Sequence, residues 1–290
     1  MEKSIRFSVI ISTYNVENFI KRAIDSVLLQ DYDNYEIIVV EDKSTDNTLD
    51  RILEYGEKIR LIKNEKNLGL GAVRNIGIKK AKGEYIVHLD GDDTLYDNNT
   101  LSKIDNLIGN NKPDIVFLGY LEMNGNNRFR LSSKQNSTKE ARILCDACFA
   151  IPSKVFRRKF LIDESIEFVT DIYYEDMVYS IETVIYANNT IWGDFPIFKY
   201  YRNRQGSITT KPSIRRCTDM YKMLGYLMDL YQKTPNKYKP YLFSFIINET
   251  RHIPYKIAKI IEAIDKGENS PLFNKREYKM IDISEFDNEN

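Results

Sequence analysis

The chain has 290 residues, of which 42% are hydrophobic and 29% are charged, and its formal net charge is zero. It has no apolar run near the roughly 18 to 20 residues that span a membrane and no signal-like apolar start, and its three cysteines are too few for a disulfide framework. These features exclude a membrane-spanning or disulfide-stapled protein and predict a globular protein of the cytoplasm.

The charge is unevenly distributed along the chain. Residues 199–262 hold thirteen Lys and Arg but four Asp and Glu, a local charge of +9 that the rest of the chain balances. With its several tyrosines, this region predicts contact with an anionic membrane surface, which would place the protein peripherally on the inner face of the cytoplasmic membrane. The alternative is a helical cap whose lysines face solvent. No nucleic-acid partner is expected, because no segment resembles a nucleic-acid-binding fold.

The first third of the chain alternates between β-rich apolar runs and segments with helical spacing. The runs predict strands at 7–11, 36–40, 59–62 and 85–89. The spacing predicts helices at 19–28, from 44–46 onward and at 70–81, the second capped by Ser44 or Thr45. This alternation predicts an α/β fold with a Rossmann-like, mostly parallel sheet flanked by helices.

Polar loops follow each of these four strands. Ligands bind beyond the carboxyl ends of strands in such sheets, so residues 13–15, 41–44, 67–69 and 90–93 should meet at one edge. The last loop carries Asp90, Asp92 and Asp93. A helix cap accounts for one or two of these carboxylates. Because three would repel one another, the cluster favours bound Mg²⁺ or Mn²⁺ shared with substrate phosphates.

The second half is less regular. It predicts a strand at 112–118, a polar loop or hairpin at 124–136 and an amphipathic helix from about Glu175. A helical region follows from about Ile214. Its apolar spacing puts Tyr221, Leu224, Leu227, Met228 and Tyr231 on one face of a helix.

Four ordered motifs in residues 8–180 carry a family resemblance. They are "SVIISTYN", "IIVVEDKSTDNT", "NLGLGAVRNIGIKKAKGEYIVHLDGDD" and "YYEDMVYS", and together they resemble the family-2 inverting glycosyltransferases of the bacterial surface-glycan type, which have the GT-A fold. The resemblance implies a nucleotide-sugar-binding half at 1–95 and an acceptor-binding and catalytic half of the same domain at 96–212. A basic helical region at 213–265 and a polar tail at 266–290 would follow.

The resemblance also implies a donor site. Thr13, Tyr14, Asn15 and Asp42 would hold the nucleoside, with Asp42 accepting hydrogen bonds from the base, and Arg74 would hold the base or its phosphates. Asp90, Gly91 and Asp92 match the DxD motif, in which Asp92 contacts the metal and Asp90 the ribose or the metal shell. Arg202 and Arg204 would reach the diphosphate, although surface arginines are an equal alternative. Residues 200–209 contain no histidine to complete the metal shell.

Asp176 is the predicted catalytic base, assisted by Glu175, because the family has its catalytic Glu-Asp pair at the start of such a helix. The alternative is that both acids merely favour the first helical turn. The implied activity is metal-dependent, inverting transfer of a sugar from a nucleotide-diphosphate donor. The usual donor of this fold is a UDP-sugar. The acceptor would be a hydroxyl of a growing or lipid-linked glycan, such as lipooligosaccharide, capsule or another surface polysaccharide.

A second function explains the acidic loop as well. Residues 90–94 satisfy DxDxT, the nucleophile loop of haloacid-dehalogenase-type phosphatases, in which Asp90 would attack phosphorus. That loop usually follows the first strand of its domain, whereas three strand-helix units precede it here.

Cys145 and Cys148 form an isolated CxxC, which favours packing over zinc binding.

Overall fold

The structure is a computed structural model that describes residues 5–123, 125, 127–131, 138–141, 149–201 and 212–268. Among these residues, no helix combines the length and apolar content needed to span a membrane. Contact between residues 213–265 and an anionic membrane surface stays a prediction.

One sheet runs through the described residues. Its strands are β1 (Phe7–Thr13), β2 (Tyr35–Glu41), β3 (Arg60–Lys63), β4 (Tyr85–Asp90), β5 (Thr94–Leu95), β6 (Ile115–Met123), β7 (Arg128–Leu131), β8 (Lys154–Arg157) and β9 (Thr190–Tyr201). The helices are α1 (Ile20–Leu28), α2 (Thr48–Leu53), α3 (Leu70–Lys80), α4 (Thr100–Ile108), α5 (Lys139–Ala141), α6 (Arg158–Asp163), α7 (Glu175–Tyr186), α8 (Ile214–Lys233) and α9 (Lys239–Lys266).

The strand order is β3-β2-β1-β4-β8-β6-β9-β5, and β7 pairs with β6. The first four strands are parallel, with β1 between β2 and β4. The later strands are mixed, since β8 is antiparallel to both β4 and β6 while β9 runs parallel to β6. This is the predicted α/β architecture, and its first half has the parallel strand arrangement of a nucleotide-binding fold.

Each face of the sheet is covered by helices. On β1, Val9 and Ile11 point into one apolar core, which α1 and α4 cover. Ile10, between them, points into the other core, which α3, α7, α8 and α9 cover. Successive side chains of a strand face opposite sides, so two-sided burial explains why β1 is a continuous apolar run.

The predicted strands and most of the helices of the first third are confirmed within a few residues. The predicted start of the second helix at Ser44–Asp46, with a Ser44 or Thr45 cap, is wrong. The Glu41 carboxylate accepts hydrogen bonds from the backbone N–H groups of Lys43 and Ser44, and Asn15 accepts one from Thr45, so this segment is a loop. Helix α2 therefore begins at Thr48.

The apolar residues that share one predicted face of α8 differ in burial. Leu227 is buried, but Tyr221 and Met228 are exposed. The buried positions are instead Cys217, Asp219, Met220, Met223, Leu227 and Leu230. Apolar residues lie on two sides of this helix, so packing against α7 and α9, which the spacing does not reveal, decides which side is buried.

Gly77 of α3 permits close packing of that helix on β1. A Cβ atom at Gly77 would overlap the Cγ2 atom of Ile10. We expect Gly77→Ala to lower the free energy of unfolding by about 1 to 3 kcal/mol, as overpacked cores do. Gly225→Ala on α8, where a Cβ meets no atom within 4 Å, is the matched control and should raise it by about 0.5 to 1 kcal/mol. Urea denaturation of both variants checks this, and equal effects would contradict it.

Candidate functional site

The candidate site lies at the carboxyl ends of β1, β2 and β4. The backbone N–H of Gly91, after β4, donates to the Ser12 carbonyl oxygen, and that of Asp42, after β2, donates to the Thr13 carbonyl oxygen. The predicted loops are therefore joined around the end of β1. This is the point at which ligands bind in open parallel sheets.

The loop after β1 contains three predicted donor residues in different environments. Thr13 is buried, and its Oγ1 donates to the Val40 carbonyl oxygen at 3.1 Å. Asn15 has a left-handed backbone (φ 51°), and its side chain accepts from Thr45. Tyr14 is exposed. Of the three, Tyr14 has the side chain most open to a ligand.

Asp42 is buried, and its carboxylate is already well supplied with donors. It accepts from the backbone N–H groups of Leu68 and Gly69 at 2.9 Å and from Asn64 Nδ2 at 2.8 Å. These bonds fasten the loop after β2 to the turn before α3, in which Gly69 has a φ of 84°. The contact between Asp42 and a nucleobase stays a prediction, while its support of the loop is observed.

The DxD loop is packed tightly against β1 and α1. A Cβ atom on Gly91 would lie 3.0 Å from the Ser12 carbonyl oxygen, so a larger residue would push the loop outward. Arg22 of α1 donates to the Asp92 carbonyl oxygen at 2.5 Å, and its guanidinium lies 3.7 Å from the Tyr201 ring centroid. Arg22 thus holds the backbone of Asp92, a contact that sequence reasoning missed.

The third acid of the loop, Asp93, is buried away from the other two. It accepts a hydrogen bond from the Tyr201 backbone N–H at 3.0 Å. Burial raises the pKa of Asp93 well above its usual range, and the neighbouring charges of Asp92 and Asp90 raise it further. Asp93 therefore binds its proton more tightly than an exposed aspartate does, and its observed contact is a structural one to β9.

Asp90 and Asp92 remain as the carboxylates that fit a metal. Within the described part of the chain, no group of three or more His, Cys, Asp or Glu side chains is arranged to hold an ion. Two carboxylates suit a hard cation such as Mg²⁺ or Mn²⁺, which keeps waters and binds substrate phosphates as well. The donor set thus fits a cation that arrives with a phosphate ligand.

Arg74 of α3 connects the two halves of the site. Its guanidinium is buried and pairs with Asp90 of the DxD motif and with Glu175 of α7, each at 3.1 Å. It also lies 5.3 Å from the Phe168 ring centroid. The predicted donor residue Arg74 and the predicted catalytic residue Glu175 are therefore in direct contact.

Two further residues of α3 hold the segment that leads to α7. The side chain of Asn75 donates to the Phe168 carbonyl oxygen and accepts from the Phe168 N–H, both at 2.8 Å. Gly71 lies against Val169, where a Cβ would overlap the carbonyl oxygen. Gly71, Arg74 and Asn75 share one helix face by their spacing. Sequence reasoning identified Arg74 alone, although the spacing offered a signal for the other two.

Glu175 and Asp176 occupy the first turn of α7, as predicted. Burial and, to a smaller extent, the adjacent Asp176 raise the pKa of Glu175 to about 7, against lowering by Arg74. Burial also raises the pKa of Asp176, against lowering by Arg74 and Lys154. A carboxylate with a raised pKa is a stronger base than an exposed one, as general-base catalysis requires.

Arg202 and Arg204 lie outside the described residues, as do Cys145 and Cys148 and most of the predicted tail. The structure therefore gives no account of their roles.

The sequence matches the model of "Glycosyl transferase family 2" over residues 8–169, more than half of the chain. It is 38% identical to an "uncharacterized glycosyltransferase" of Rickettsia typhi over 182 residues, 57% of this chain and 55% of the relative. The chain thus spans about half the length of that relative. The family match includes the DxD loop and decides against the phosphatase alternative.

Solved glycosyltransferases share the fold. Staphylococcus aureus TarS with UDP-GlcNAc aligns with a TM-score of 0.69 at 23% identity, covering 87% of this chain and 73% of TarS. The mannosyltransferase PcManGT of Pyrobaculum calidifontis, with GDP-Man and Mn²⁺, aligns with a TM-score of 0.61 at 18% identity, covering 91% and 75%. These likenesses confirm the GT-A fold expected from the motifs.

The raised pKa of Glu175 predicts a pH-dependent stability. The folded chain holds this proton more tightly than the unfolded chain, so the stabilising contribution is complete below the ordinary pKa of 4.5 and is lost as pH rises through about 7. As the pH rises from 4.5 to about 7, the free energy of unfolding of the wild type should decrease relative to that of Glu175→Gln, by at most about 1.4 kcal/mol per pH unit.

Urea denaturation of both proteins from pH 4.5 to 8 checks this prediction. Any pH-independent effect of the substitution shifts the whole curve of the variant, so the difference in slope carries the test. Parallel curves would contradict the raised pKa.

Proposed function

The chain belongs to glycosyltransferase family 2, and we propose that it moves a sugar from a UDP-sugar to a glycan hydroxyl with inversion, using Mn²⁺ or Mg²⁺. The observation that carries the proposal is the pair of ion pairs from Arg74 to Asp90 and Glu175, each at 3.1 Å. The buried guanidinium of Arg74 thus holds Asp90 of the DxD motif beside Glu175 of the Glu-Asp pair. Donor and base chemistry would therefore take place in one cleft.

In the proposed donor site, the loops after β1 and β2 receive the nucleoside. Tyr14 offers an exposed ring, while Thr13, Asn15 and Asp42 shape the loop through the hydrogen bonds described above. Arg74 supplies positive charge beneath the diphosphate, and Gly91 keeps the DxD backbone close to β1. Preorganised charge of this kind stabilises the leaving group without a proton transfer.

Asp92 and Asp90 would hold the metal. When bound, Mn²⁺ or Mg²⁺ supplies a Lewis acid for the negative charge that develops on the leaving diphosphate. Arg22 contributes by fixing the Asp92 backbone through its 2.5 Å hydrogen bond to the carbonyl oxygen. The metal dependence of binding is thus proposed to rest chiefly on Asp92, because Asp90 is shared with Arg74.

Asp176 is the proposed catalytic base. It takes the proton of the acceptor hydroxyl while that oxygen attacks the anomeric carbon and the bond to the diphosphate breaks, with the electron pair leaving on UDP. A single displacement of this kind inverts the anomeric centre. Glu175 assists by binding Arg74, and burial, which raises the pKa of Asp176, makes it a stronger base than an exposed aspartate.

The choice of a UDP-sugar rests on similarity to TarS, named a poly(ribitol-phosphate) beta-N-acetylglucosaminyltransferase. TarS is 27% identical over 212 residues, 70% of this chain and 36% of TarS, and one TarS structure contains UDP-GlcNAc. The proposed acceptor is a growing surface glycan, such as lipooligosaccharide or capsule, or its lipid-linked precursor. UDP-GlcNAc is accordingly the first donor to test.

Calorimetric titration of UDP into the purified protein tests the donor site. With Mn²⁺ present, we expect saturable binding to wild-type protein and binding weakened at least about tenfold by Asp92→Asn, since a charge-assisted ligand bond is worth about 1.5 to 3 kcal/mol. Excess chelator should weaken the wild-type binding to a similar extent. The matched control is Asp50→Asn, on the exposed face of α2, which should bind as wild type.

Absence of UDP binding to wild-type protein both with Mn²⁺ and with chelator would overturn the proposed donor. Binding that ignores both the chelator and Asp92→Asn would overturn the metal role while leaving the nucleotide site in place.

A further inference from the structure

The four residues before Glu175 hold an unusual backbone. Asp171 and Tyr174 both have left-handed conformations, with φ of 57° and 75°, and neither is glycine. An aspartate tolerates this region, but a tyrosine rarely adopts it. Such a conformation is strained and persists only where the surroundings enforce it. The backbone that aims Glu175 and Asp176 therefore needs an external support.

Helix α8 supplies that support from the C-terminal region. Asp219 is fully buried, and its carboxylate accepts the backbone N–H of Tyr173 at 3.0 Å. Arg215, one turn earlier, donates to the Asp171 carboxylate at 2.7 Å and to its carbonyl oxygen at 3.3 Å. Arg215 also lies 5.4 Å from the Tyr173 ring centroid. Two residues of α8 thus contact two residues of the segment, Asp171 and Tyr173.

Two basic residues of α8 form ion pairs with the buried carboxylate of Asp219. Asp219 pairs with Arg215 at 3.4 Å and with Lys222 at 3.1 Å, at helical spacings of four and three residues. An anionic acceptor forms a stronger hydrogen bond to a backbone N–H than a neutral one does. Lys222 touches Asp219 in this cluster, which makes it a useful control.

We infer that Asp219 and Arg215 form a positioning clamp that holds residues 171–173 and so fixes the catalytic Glu175–Asp176 turn. This inference rests on the proposed function, because it assigns the turn a role in transfer. The clamp contacts neither the loops after β1 and β2 nor the DxD loop. It should therefore act on turnover and spare nucleotide binding.

The experiment compares Asp219→Ala, Asp219→Asn and Lys222→Ala with wild type. UDP affinity is measured by calorimetry with Mn²⁺, and turnover by UDP release from UDP-GlcNAc. For Asp219→Ala we expect UDP Kd and donor KM within about threefold of wild type and kcat lowered at least about tenfold, since small displacements of catalytic groups are costly. Asp219→Asn, which keeps an acceptor oxygen, should recover much of kcat. Lys222→Ala removes an ion pair of Asp219 but leaves the contacts of Asp219 and Arg215 with Asp171 and Tyr173 in place, so its kcat should fall less than that of Asp219→Ala.

Arg215→Ala keeps the inference testable if Asp219→Ala does not fold, because the Arg215 side chain is 55% exposed and its removal leaves the core intact. Here kcat should fall about threefold or more at unchanged UDP affinity. A folded Asp219→Ala with wild-type kcat overturns the clamp, as does a Kd that weakens in step with kcat. If Asp219→Ala does not fold, a wild-type kcat in Arg215→Ala overturns it.

Failure of the proposed function gives a different result. Wild-type protein that neither binds UDP nor releases it from UDP-GlcNAc overturns the donor assignment and the clamp together. If the wild-type protein is active and a folded Asp219→Ala variant has the same kcat, the clamp alone is overturned.

Discussion

The structure of the site depends on one buried guanidinium. Arg74 pairs with Asp90 at the end of β4 and with Glu175 at the start of α7, residues that are 85 positions apart in the chain. Without Arg74, two carboxylates would face each other in a poorly hydrated space, and removing one partner of a buried pair typically costs about 3 to 5 kcal/mol. The arginine therefore makes the close approach of the DxD motif and the Glu-Asp pair energetically acceptable.

Helix α3 carries this arginine and is itself held on both sides. Gly77 lets it pack on β1, and Asp42 fastens the turn at its amino end. On its other side, Asn75 hydrogen-bonds to the segment at 168–169 and Gly71 packs against it. Because α3 contacts both the sheet and the segment that leads to α7, it fixes the position of that segment relative to the sheet. The carboxyl ends of β1, β2 and β4 and the start of α7 consequently belong to one site.

The sequence predicted well whatever depends on local pattern. Apolar runs located β1, β2 and β4, and the ordered motifs identified the family and the GT-A fold, since both signals lie in neighbouring residues. Contacts between distant elements leave no such signal in the sequence. The local pattern shows Asp219 only as an acidic residue of α8 and Arg22 only as an arginine of α1, so their contacts could not be predicted. The loop at residues 43–45 was mistaken for a helix start because its stabilising partners, Glu41 and Asn15, lie outside it. The side of α8 that is buried was likewise decided by packing rather than by its own spacing.

The central claim is that the turn held by Arg74 contains the base that activates the acceptor. The most direct measurement compares wild type with Asp176→Asn for UDP binding by calorimetry and for UDP release from UDP-GlcNAc. The account predicts unchanged UDP affinity and turnover lowered by about 100-fold or more, the usual contribution of a general base. Near-normal turnover in Asp176→Asn would contradict it.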